Sequence, residues 1–195
     1  MKRDGKGKAF ILLGALLLLG AASLTGYNLY DAHRAEEASN HITQIVFEKM
    51  MDEVVRETEE IPVVRVEEND CMGILEIPSR DLTLPVMAQW DYEKLKISPC
   101  RFSGSCEKKN LVICAHNYPS HFGSIRNLSP GEDVYLTTAD RTVYHYLVSG
   151  LETLLPDRVD EMTGLEDETW DLTLFTCSLS GQTRCAVRCV LASES

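Results

Sequence analysis

From Ala9 to Tyr30 no charged side chain interrupts the chain, and Phe10 to Leu19 is nearly continuous hydrocarbon. Twenty-two residues at the helical rise of about 1.5 Å reach about 33 Å, enough for a bilayer core of roughly 30 Å. The pattern predicts a single membrane anchor over 9–30. Lys2, Arg3, Lys6 and Lys8 precede it and Asp31 follows, so residues 1–8 are expected in the cytoplasm and the rest outside. A cleaved signal peptide is the alternative, because Gly20-Ala21-Ala22 offers small residues near a cleavage point. A buried core helix does not suit the basic flank.

Beyond the anchor the period changes. Ile42, Val46, Met50 and Val54 recur at every fourth residue in a stretch free of Gly and Pro, which predicts a helix with one thin apolar stripe. It reads as a solvated stalk, with a partner-binding or dimer helix as the alternative. Ile61 to Asp70, holding Pro62 and three acids, reads as an extended connector.

From Cys71 the chain alternates apolar and polar residues between turn signals. Gly73–Pro78, Leu82–Val86, Asn110–His116, Asp133–Thr138, Val143–Leu155, Leu172–Thr176 and Thr183–Ala192 read as strands. Asp91–Leu95 and Phe122–Leu128 read as short helices, Pro99–Gly104 as a loop, and Asp157–Asp171 as an acidic loop with at most one helical turn. Seven or eight strands with few helices point to an all-β barrel or sandwich. The expected organisation is 1–8 cytoplasmic, 9–30 anchor, 31–70 stalk and linker, and 71–195 folded domain.

Charge narrows the function. A formal net charge of −11, with four of the nineteen basic residues before the anchor so that the rest of the chain is more acidic still, excludes a general nucleic-acid binder. Seven cysteines are many for an exported chain, and an odd number leaves at least one thiol free outside the cytoplasm. No CxxC pair occurs, so zinc spacing is absent. Cys185 and Cys189 lie about 13 Å apart on a strand and cannot bond to each other. Cys100 and Cys106 are a candidate pair if Pro99 and Gly104 make a turn.

Three residues stand where strands meet loops. His116 ends one strand, Cys177 ends another, and Arg184 opens the strand after a polar turn, Ser178 to Thr183. In that hairpin Cys177 faces Arg184, Phe175 faces Ala186 and Thr173 faces Arg188. Arg184 is therefore the better partner for the thiol, and Arg188 lies about 13 Å down the strand. A cysteine nucleophile needs help in forming its thiolate, donors for the oxyanion and restricted water, and this trio offers the first two. Each residue also has an ordinary role: a buried thiol, a hydrogen-bonded histidine, a solvated arginine.

The motifs carry a resemblance. Thr173-Leu-Phe-Thr-Cys177 resembles the TLxTC signature of sortases, the membrane-anchored cysteine transpeptidases of Gram-positive bacteria. Gly73-Ile-Leu-Glu-Ile-Pro78, Leu84-Pro-Val86, Asn110 to Asn117, His121 to Leu128, Pro130 to Asp133 and Thr183 to Arg188 are similar to further segments of that family, in its order His, Cys, Arg. The resemblance implies an eight-stranded β-barrel. It also implies that Cys177 forms a thioacyl-enzyme with an LPxTG-like sorting signal of a surface protein, with His116 as acid and base and Arg184 holding substrate carbonyls. The acyl group would pass to an amine from a peptidoglycan precursor or a pilin lysine, and Thr176 would shape the site beside Cys177; Asn117, next to the histidine, departs from the family pattern and is a further substrate-binding candidate. No cofactor is expected. A Ca²⁺ site at Glu161, Glu166, Asp167 and Glu168 is a weaker expectation from some relatives, and a solvated acidic loop is its rival. The family's inhibitory lid motif is not evident before His116, and the cysteines at 114, 185 and 189 depart from its pattern. Competing readings are a papain-like cysteine peptidase, which usually places Cys before His, and a non-catalytic membrane-tethered β-domain.

Overall fold

One helix, α1 (Asp4–Asp52), carries both N-terminal patterns. The chain falls into two compact units, Met1–Arg34 and Ala35–Ser195. The computed structural model describes residues 4–52, 56–58, 61–163, 169–178 and 180–192. In the first unit the apolar side chains from Phe10 to Leu19 are exposed, and α1 is long and apolar enough to cross a membrane.

In the second unit the rest of α1 is not a solvated stalk. Ala35, Ser39, Ile42, Val46 and Met50 fall on one helical face and are buried. Ile42, Val46 and Met50 pack with Val64, Val66, Cys71 and Ile74 of the strands that follow. Burying each of the three is worth about 1.5–3 kcal/mol, so the stripe is a packing face of this same chain. Val54 lies outside the described residues.

The strands close into a ring. β1 (Arg56–Thr58) and β2 (Ile61–Val66) form a hairpin appended to β3 (Asn69–Ile77). β3 pairs with β4 (Leu82–Met87) along one edge and, over Gly73–Glu76, with β7 (Asp133–Thr138) along the other. With β5 (Cys100–Ser103), β6 (Leu111–Cys114), β8 (Val143–Leu154), β9 (Leu172–Cys177) and β10 (Arg184–Leu191), the order β3-β4-β5-β6-β9-β10-β8-β7 makes an eight-stranded closed barrel. Two expectations are corrected. The connector Ile61–Asp70 is strand, since Val64–Val66 ladder with β3 beyond Pro62. The loop Pro99–Gly104 contains β5, which joins β4 to β6.

Alternation along the strands separates two apolar clusters. Leu111, Ile113, Leu172, Leu174, Val187 and Tyr146 belong to the cluster that fills the barrel. Val112, Cys114, Phe175 and Ala186 lie on the outer face, beneath α1 and Met162 of the short helix α3 (Val159–Thr163). Cys106 joins the inner cluster and Cys100 the outer one, so they face apart, and all seven cysteines are free thiols. A further short helix, α2 (Tyr92–Leu95), is capped by Asp91, whose carboxylate accepts from Glu93 N at 2.8 Å and Lys94 N at 3.3 Å. Phe122–Asn127 is a 3₁₀ segment.

Candidate active site

The position of the site follows from one unusual pairing. β6 and β9 are parallel neighbours, in register from Leu111↔Leu172 to Cys114↔Phe175. Parallel strands end at the same level, so their C-terminal ends emerge side by side. The ladder extends one step further, with Ala115 N donating to Phe175 O at 3.2 Å. Thr176 Oγ1 donates to Ala115 O at 2.8 Å and pins the two ends together. Two residues beyond the last pair, His116 and Cys177 occupy equivalent positions on the outer face. Both are half-buried.

Across the next ladder, antiparallel β10 sets Arg184 opposite Cys177, Ala186 opposite Phe175 and Arg188 opposite Thr173. This is the register read from the hairpin. The turn between them is tied by Ser178 N donating to Thr183 O at 2.9 Å and Gly181 N to Ser178 O at 2.9 Å. Gly181 has φ of +73°, a conformation that suits glycine. Asn117 Nδ2 donates to Ser178 O at 3.3 Å, so Asn117 holds this turn rather than the cavity wall. Arg184 Nη1 donates to Gly181 O (3.2 Å) and Thr183 O (3.1 Å), leaving its remaining donors for a ligand.

The loop after His116 is tightly wound. Phe122 N donates to His116 O at 3.1 Å, and Gly123 N to Tyr118 O at 2.9 Å. A side chain at Gly123 would put its Cβ 2.6 Å from the carbonyl oxygens of Asn117 and Tyr118, so only glycine lets the 3₁₀ segment come this close. The Tyr118 ring packs between two histidines, 5.0 Å from His116 and 5.4 Å from His121 and tilted 42° and 54° to them. His121 is fully buried, and among the described residues neither ring nitrogen has a hydrogen-bond partner of good geometry. Burial, then the neighbouring His116, push its pKa down to about 4, against the backbone groups of Ile97 and Ala35.

A cavity of about 500 Å³ opens beside the thiol. Thr176, Cys177 and Arg184 line it together with Arg126, Glu152, Cys185 and residues of the Ser178–Thr183 turn. His116 is not among its lining residues. Arg188 has a different place from Arg184. It is 3% exposed, bonds Glu152 Oε2 at 2.9 Å, Thr173 Oγ1 at 2.8 Å and the carbonyls of Glu161 and Met162, and lies 4.2 Å from the Trp170 ring. It therefore ties α3 and the β8–β9 connection to the barrel.

The other cysteines are poor nucleophiles. Burial pushes Cys71 and Cys100 up to about 12, Cys189 to about 12 and Cys106 to about 11, and raises Cys114 further. Cys71, Met87, Cys100 and Cys114 stand in register across β3, β4, β5 and β6, a buried row of sulfur that ends beside the site. Of the acidic set, Glu161 pairs with Arg158 at 2.8 Å, and Glu166, Asp167 and Glu168 lie outside the described residues. Among the described residues no three His, Cys, Asp or Glu side chains converge on a metal-sized space. Sequence reasoning did not single out Arg126, Glu152 or the Tyr118–His121 pair. Arg126 was visible on a predicted short helix, but nothing local showed that it lined the cavity with the thiol.

Residues 75–192 match the family model described as the sortase domain. Solved structures with similar folds include a Clostridium perfringens sortase D5 transpeptidase, 18% identical, with a TM-score of 0.64 over 80% of this chain and 99% of that one. Sortase C from Clostridium perfringens SM101 is 22% identical, TM-score 0.57, over 85% and 91%. A lid mutant of sortase A from Corynebacterium diphtheriae is 19% identical, TM-score 0.57, over 66% and 73%. No curated protein matches the chain in sequence.

Proposed function

Because the chain belongs to the sortase family, we propose that it is a membrane-anchored cysteine transpeptidase acting outside the cell on LPxTG-like sorting signals. The observation that carries this is the parallel β6–β9 pairing, which sets the ends bearing His116 and Cys177 level, with Arg184 across the next ladder. The Cys177 thiolate attacks the carbonyl carbon of the scissile peptide bond. The tetrahedral oxyanion is held by Arg184, since the N–H of Ser178 is already given to Thr183. Collapse expels the amine, which takes a proton from His116, and leaves a thioacyl-enzyme. An incoming amine, from a peptidoglycan precursor or a pilin lysine, then attacks the thioester and gives its proton to His116. The new amide leaves, and the Cys177 thiolate and the protonated His116 are restored. Thr176 supports the geometry by holding the β6 and β9 ends together, and Asn117 by holding the turn. The apolar part of α1 anchors the enzyme, with residues 1–8 inside.

The test uses full-length protein in detergent, an LPxTG-type peptide library and an amine acceptor, with mass spectrometry of products. Wild type is expected to form a Cys177-linked acyl adduct and a joined product, and Cys177→Ala neither. Joining that persists in Cys177→Ala removes the thiol from the mechanism, and absence of any cleaved peptide removes the activity.

A further inference from the structure

The cavity that holds Cys177 is cationic, although the chain as a whole carries a net charge of −11. Glu152 supplies the carboxylate in its wall, and that charge is already neutralised, because Glu152 Oε2 accepts from Arg188 Nε at 3.1 Å and Nη2 at 2.9 Å. Among the described residues Arg184 donates only to carbonyls of its own turn. Arg126, exposed on the 3₁₀ segment, has no ion pair or hydrogen bond among the described residues. Its charge is nevertheless felt at the cavity wall. Burial raises the pKa of the Cys185 thiol, and Arg126 opposes that rise.

We infer that Arg126 makes a carboxylate-binding subsite in the Cys177 cavity, which favours substrates carrying an anionic group next to the reacting centre. A guanidinium presents paired N–H donors that match a carboxylate fork, and its attraction grows in a partly enclosed site. Thr153, Ser180 and Thr183 line the same cavity, and a hydroxyl is a donor suited to the same group. A cavity of about 500 Å³ has room for such a group beside the scissile bond. Two sources share this chemistry: an acidic residue of the sorting signal, or a carboxylate on the acceptor amine. The choice between them rests on the transpeptidase reading, whereas the charge preference itself does not.

Iodoacetate and iodoacetamide separate the two issues. They are nearly isosteric, and in each the thiolate forms the S–C bond while iodide leaves, so only the carboxylate distinguishes them. Alkylation of full-length protein in detergent is followed at the Cys177 peptide by mass spectrometry, with Cys185 quantified separately. The iodoacetate-to-iodoacetamide rate ratio is expected to fall about fivefold in Arg126→Ala, to stay within about twofold in Arg126→Lys, and to fall further in Arg126→Glu. Salt at about 0.5 M should shrink the difference between wild type and Arg126→Ala. A ratio unchanged in Arg126→Ala overturns the subsite. Turnover then assigns the source, using sorting peptides with Glu or Gln at the variable position and glycylglycine or its C-terminal amide as acceptor. A carboxylate preference lost in Arg126→Ala on one arm names that arm. A wild type indifferent on both arms, while active, refutes the role in selection. If the alkylation ratio depends on Arg126 yet no peptide is cleaved, the anion subsite stands and the transpeptidase reading falls.

Discussion

His121→Leu tests whether the buried imidazole behind the site is held neutral. The ring is fully buried beside Tyr118, and its pKa is pushed from 6.5 down to about 4. In the unfolded chain it returns to about 6.5. Between those values the unfolded state binds a proton that the folded state refuses, so stability falls as pH drops from about 6.5 to about 4 and is fully present above that window. The fall is worth about 3 kcal/mol. Leucine has no proton to bind and a similar volume. Because neither ring nitrogen has a good partner, the substitution should change stability by no more than about 1 kcal/mol at pH 7.5. Urea unfolding of the full-length protein in detergent, followed by the fluorescence of Trp90 and Trp170, gives the stability of both proteins from pH 7.5 to pH 4. Carboxylates shared by both cancel in the difference. Wild type is expected to lose about 3 kcal/mol relative to the variant across the window, and a difference independent of pH would refute the reasoning.

Three other substitutions probe the scaffold. Arg188→Met removes the bonds to Glu152, Thr173 and the α3 carbonyls, and should lower stability by about 3 kcal/mol in the same unfolding assay. Gly123→Ala drives a Cβ against the Asn117 and Tyr118 carbonyls; about 2 kcal/mol of stability and a drop in kcat with little change in KM are expected in peptide-cleavage kinetics. Val46→Asp buries a charge without a partner and should cost about 3 kcal/mol or more, whereas a solvated stalk would tolerate it with no shift of the urea midpoint.

The residues that specified their own structure did so through local pattern. Asp133–Thr138 alternates cleanly after Pro130-Gly131, and the strand formed there has those bounds. The six-residue turn sets the β9–β10 register, so the Cys177–Arg184 pair could be read from adjacent sequence. β5 could not, because Pro99 and Gly104 bracket only four strand residues and its pairing partners are distant. The stripe on α1 showed that one face was apolar, but periodicity does not say what covers it, and the cover is the barrel's own outer face. The level ends of β6 and β9 were equally hidden, since a parallel pairing across 61 residues leaves no local mark. Resemblance supplied the His116–Cys177 relation that the pattern alone did not.

The closed ring also decides how a peptide must be read. β9 is flanked by β6 and β10, and β10 by β9 and β8, so the backbone donors and acceptors of the strands bearing Cys177 and Arg184 face sheet neighbours. No free edge is open there for a peptide to join as an added strand, the mode that recognises main chain regardless of sequence. Selection therefore falls to side chains. A substrate methylated on its backbone nitrogens, the scissile one apart, should remain a substrate far better than one with an altered side chain.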